Sequence, residues 1–95
     1  MNDKTNKRLP TSVCLGPHTI KVRFVDMRHT DAYGIFDERK LEILIDRTIS
    51  GSLAWETYVH EVFEAVTYYA ELGLDHSKIQ TAALLLAQAF PMPEK

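Results

Sequence analysis

A chain of 95 residues allows a single domain with one modest core. Hydrophobic residues at 45% and charged residues at 25% are the balance of an ordinary globular domain, which excludes disorder as the main state. The net charge of −2 supplies no basic field for a phosphate backbone, so no nucleic-acid partner is expected. Residues 1–8 are polar and read as a loose tail. The tail has charge but no apolar stretch behind it, so no signal peptide is expected. Val13 to Leu15, the turn Gly16-Pro17 and Thr19 to Val25 read as a short strand, a turn and a longer strand. In the longer strand Ile20, Val22 and Phe24 alternate with Lys21 and Arg23, the period of a half-buried strand. Asp26 to Asp31 reads as a loop. Tyr33 to Phe36 and Leu41 to Ile45 flank Asp37-Glu38-Arg39-Lys40, which predicts a hairpin. In its second strand Leu41, Ile43 and Ile45 are expected to face the core, and Glu42, Leu44 and Asp46 to face out.

The period changes after Ile49. Ser50 or Ser52 can cap a helix, because a hydroxyl accepts a free amide of the first turn. From Leu53 to about Leu72, Val59, Val62, Phe63, Val66 and Ala70 recur at three- and four-residue steps, and Gly73 supplies the stop. Asp75 can cap a second helix that runs to Phe90 and ends at Pro91 and Pro93. This helix is apolar almost all round, which predicts either a place inside the core or an interface, including a homo-oligomer formed through it. Strands first and helices after define an α+β domain: a small antiparallel sheet of three or four strands covered by two packed helices. The longest apolar run, Ala82 to Ala87, falls far short of the about 20 residues that a bilayer requires, so no membrane partner is expected. The lone cysteine, Cys14, allows no internal disulfide and reads as a small buried hydrophobe. A cytoplasmic location is expected.

Chemistry concentrates in His60-Glu61-Val62-Phe63-Glu64 on the first helix. At about 100° per residue, His60 and Glu64 lie about 40° apart and one turn along the axis, so imidazole and carboxylate can converge on one cation. Glu61 is rotated about 100° from His60 and stands at the rim instead, where it can take a proton from a metal-bound water. This is the logic of the H-E-x-x-H zinc hydrolases, in which the glutamate is the general base. A catalytic zinc wants three protein ligands, and His76, at the corner between the helices, offers the third. Glu71 competes for that place, since it lies on the same stripe as His60. His76 is favoured, because a second carboxylate would leave the metal too little charge to acidify water. Glu71 is then left to orient a ligand histidine. Tyr68, one turn past Glu64, offers a phenol to an oxyanion or packs as an ordinary surface tyrosine. His18 and His29 read as surface histidines, and Trp55, Tyr58 and Tyr69 as core or interface aromatics.

Three stretches carry a resemblance: Leu41-Glu42-Ile43-Leu44-Ile45-Asp46, His60-Glu61-Val62-Phe63-Glu64-Ala65-Val66, and Glu71-Leu72-Gly73-Leu74-Asp75-His76. Together they resemble the small phage- and prophage-encoded zincin-like metallopeptidases, over residues 18–90. The resemblance implies a sheet whose last strand precedes the active-site helix, zinc held by His60 and Glu64 with His76 as third ligand, and Glu61 as base. It implies a peptide or protein substrate that pairs with an edge strand, for which Ile43, Leu44 and Ile45 are the candidates. The alternative is a catalytically inactive zincin-like binding or adaptor module of phage origin, acting through protein–protein contacts.

Overall fold

The computed structural model describes residues 9–70 and 73–90. Four strands, β1 (Ser12–Leu15), β2 (His18–Val25), β3 (Gly34–Asp37) and β4 (Glu42–Asp46), precede two helices, α1 (Gly51–Ala70) and α2 (His76–Ala89). The domain is α+β, as the order of patterns predicts.

The sheet differs from expectation in one pairing. Its order is β1-β2-β4-β3, with β1/β2 and β3/β4 antiparallel but β2/β4 parallel. After β2, residues 26–33 carry the chain to the far edge and β3 runs back. The hairpin then reverses the chain again and lays β4 between β2 and β3. Two reversals leave β4 running with β2, so the sheet is mixed. This also overturns the placing of Ile43, Leu44 and Ile45 on an edge. Both sides of β4 are occupied by neighbouring strands, and β3 is the edge strand on that side of the sheet.

Ile20 and Val22 of β2 and Ile43 and Ile45 of β4 form the buried face, joined by Ala54, Tyr58 and Ala65 of α1. Leu41 does not belong to the inward set of β4. It sits in the turn with φ of 55°, after Asp37 Oδ1 has accepted the amides of Arg39 and Lys40 at 3.0 and 3.2 Å. Asp46 is not outward either; it is 3% exposed. Its Oδ1 accepts the Thr48 amide at 3.0 Å, the Thr48 hydroxyl at 2.8 Å and the Met27 amide at 3.4 Å, fixing the loop on which the chain leaves the sheet. Burial opposes its charge, but these hydrogen bonds outweigh burial and its pKa is lowered. Cys14 is exposed rather than buried, because β1 is an outer strand and Cys14 points to its open face.

Helix α1 begins at Gly51, two residues before the expected start, and neither serine hydroxyl caps it among the described residues. Its buried positions are Ala54, Thr57, Tyr58, Glu61 and Ala65, spaced at three and four residues. Of the apolar residues that set the helical period, Val59, Val62, Phe63 and Val66 are half-buried and Ala70 is exposed. The helix packs against the sheet on one side and α2 on another, so no single stripe holds all its burial. Helix α2 buries Ile79 and Ala83, whereas Leu84, Leu85 and Leu86 are exposed. It covers one side of α1 and is not enclosed in the core. No helix among the described residues is long and apolar enough to cross a membrane.

Candidate metal centre

Two helices and the edge strand build the site. His60, Glu61 and Glu64 come from the middle of α1, and His76 is the first residue of α2. Gly73, with φ of 69°, turns the chain between the helices in a conformation glycine takes without strain. Asp75 then caps α2, accepting the Lys78 amide at 3.0 Å and the Ser77 hydroxyl at 2.9 Å. Those bonds hold the carboxylate of Asp75 below its ordinary pKa, the Lys78 amide contributing most. With the cap set, His76 turns back toward α1.

Glu64 is the hub. Its Oε2 lies 3.3 Å from Nε2 of His60 and 3.5 Å from Nδ1 of His76. The two imidazole rings stand 5.1 Å apart, and one donor atom from each of the three residues lies within 4.8 Å of the other two. Donors held at about 2.0–2.1 Å from a tetrahedral zinc stand about 3.3–3.4 Å apart, so the two contacts of Glu64 Oε2 are near the edge length such an ion requires. The sequence-predicted trio of His60, Glu64 and His76 is therefore brought together. Exposure is graded: the side chains of His60, Glu64 and His76 are 14%, 31% and 72% exposed, so one flank of the cluster opens to solvent. Glu71 lies outside the described residues.

Glu61 points inward from the same helix. It is 8% exposed, has no hydrogen-bond partner among the described residues, and its pKa is pushed up to about 7, first by burial and then by the charge of Glu64. Its depth comes from β3. Gly34, the first residue of that strand, stands so close that a Cβ there would meet Thr57 Cγ2 at 2.7 Å and Glu61 Cγ at 3.0 Å. A glycine inside a strand marks such a close approach. The lone glycine in the Tyr33–Phe36 strand pattern is the sequence signal for this approach, one that periodicity alone does not use.

Two clefts flank the cluster and share Gly34, His60, Glu61 and His76. One, of about 380 Å³, continues to Phe36, Glu38 and Tyr68. Tyr68 is exposed at its rim, edge-on to Phe36 at 5.9 Å between ring centroids. The other, of about 390 Å³, continues to Asp31, Tyr33, Leu53, Glu56 and Gln80. Elsewhere, Trp55 packs against Tyr58 at 5.5 Å, as expected of these aromatics, whereas His18, expected at the surface, is half-buried at the start of β2 and stacks on Tyr69 at 4.7 Å.

No family model matches the chain, and no curated protein or solved structure matches it either.

Proposed function

We propose that this chain is a zinc-dependent hydrolase of peptide bonds, a minimal metallopeptidase. The observation that carries the proposal is the convergence of His60, Glu64 and His76 within 4.8 Å beside a buried carboxylate without a hydrogen-bond partner among the described residues. Two imidazoles and one carboxylate are the donor set of a catalytic zinc that keeps a fourth position free. When bound, zinc supplies a Lewis acid that polarises water and carbonyl oxygen.

Glu61 supplies the proton chemistry. A carboxylate raised toward neutral pH accepts a proton from the attacking water and returns it to the leaving amine. Tyr68, at the rim of the same cleft, offers its phenol to the oxyanion. The substrate strand pairs with the open edge of β3, whose Gly34 and Phe36 line the clefts, in place of the interior β4. The protein acts in the cytoplasm, where its single thiol stays reduced.

A second reading draws on α2. Leu84, Leu85 and Leu86 are exposed in sequence, a surface suited to a binding module or to self-association without turnover. Elemental analysis of freshly purified protein, combined with a peptide-library digest with and without chelator, separates the two. Stoichiometric zinc and chelator-sensitive cleavage support the hydrolase. A metal-free, folded protein that cleaves nothing and associates with rising concentration supports the binding module.

A further inference from the structure

The cleft on the Tyr33 side of the cluster combines two kinds of wall. Asp31 and Glu56 bring two carboxylates to it, and among the described residues neither has an ion-pair partner. Among the described residues no lysine or arginine lines this cleft or its neighbour. Tyr33 and Leu53, both large and exposed, line the same cleft, together with Gln80. Glu61, nine-tenths buried and without a hydrogen-bond partner among the described residues, closes the inner end. Acidic groups alone would only be a solvated rim. Here they are set beside apolar surface that water covers poorly, and the deep end adds a third carboxylate.

A lysine or arginine side chain matches both features. Its methylene stem lies along apolar surface while its cationic head stays at a polar end, and a tyrosine ring adds attraction for the cation. We infer that the Asp31–Glu56 cleft is a specificity pocket for a basic side chain, so the substrate is a peptide carrying lysine or arginine next to the bond to be cut. The inference rests on the hydrolase reading for the cut, but the pocket itself can be tested by binding alone.

The experiment uses short capped fluorescent peptides in which lysine, norleucine or glutamate is walked through each position. They are titrated with the full-length Glu61→Gln chain in the presence of zinc, and zinc content is measured on the same sample. At one position lysine should bind about tenfold more tightly than norleucine, with glutamate weakest. The Asp31→Asn, Glu56→Gln double variant should bring the lysine-to-norleucine ratio close to parity, and Glu56→Lys should invert the preference toward glutamate. A merely structural change would weaken all three peptides together and leave their ratio unmoved. Parity of the three side chains at every position, or no binding by a zinc-loaded chain, overturns the pocket. A lysine preference that survives in a chain holding no zinc upholds the pocket and removes the hydrolase reading instead.

Discussion

Gly34 of β3 and Glu61 of α1 meet across a gap that has no room for a methyl group: a Cβ on Gly34 would lie 3.0 Å from Cγ and 3.2 Å from Oε2 of Glu61. The same Cβ would press on Thr57 Cγ2 at 2.7 Å, closer than real carbon contacts come. Gly34→Ala is expected to destabilise the fold by about 1–3 kcal/mol in urea denaturation, the usual cost of overpacking. Thr57→Ser removes Cγ2 but keeps the hydroxyl that donates to the Leu53 carbonyl at 2.8 Å. The cost of Gly34→Ala should therefore shrink in the Thr57→Ser background, and equal costs in both backgrounds would refute the contact.

Zinc binding should depend unequally on the three donors. His60→Ala is expected to abolish stoichiometric zinc, because it removes the most enclosed imidazole and leaves donors on different helices. His76→Ala should weaken binding without eliminating it, since the pair one turn apart on α1 survives. Competition with a chromophoric chelator measures both, and undiminished zinc in the His60→Ala, His76→Ala double variant would place the metal elsewhere.

Glu61→Gln should keep the metal and lower peptide hydrolysis by about 10²–10⁴-fold, the usual contribution of a positioned general base. The amide preserves size but cannot take a proton. Wild-type hydrolysis by this variant would remove Glu61 from the role of base.

The metal-free protein should reveal what burying Glu61 costs. Its pKa rises from 4.5 to about 7 on folding, burial being the main cause and Glu64 the lesser. The folded state therefore binds the proton more tightly than the unfolded one. The stabilising effect of that proton is complete below pH 4.5 and is lost as pH rises through about 7. Relative to wild type, Glu61→Gln should gain on the order of 2–3 kcal/mol between pH 4 and pH 8 with chelator present. Urea titrations at the two ends of that range measure the gain, and a difference independent of pH would contradict it.

Local pattern made much of the fold and site legible. The alternation in β2, the left-handed turn at Gly73 and the Asp75 cap each act within a few residues, and each appears where periodicity and cap chemistry placed it; the expected helix end at Leu72 lies outside the described residues. His60 and Glu64 share a face because helix geometry alone decides it. What could not be read depends on distant neighbours. The interior position of β4 follows from where residues 26–33 deliver β3, and nothing in Ile43, Leu44 or Ile45 specifies which strands flank them. Asp46 looked outward by alternation, yet hydrogen bonds from Thr48 and Met27 make its burial tolerable. The depth of Glu61 escaped for the same reason, since it is set by an edge strand some thirty residues earlier in the chain.

Helix α2 is fastened near both its ends. At the far end the Trp55 indole donates to the Phe90 carbonyl at 2.7 Å, and at the near end His76 meets Glu64. A cation seated among His60, Glu64 and His76 would rivet only the near end. Its removal should leave the indole anchor in place and loosen the first turn, so that amide exchange quickens around Ser77 and Lys78 while the turn near Leu86 keeps its protection. Occupancy would then be legible as a gradient of stiffness along a single helix, even with no substrate in hand.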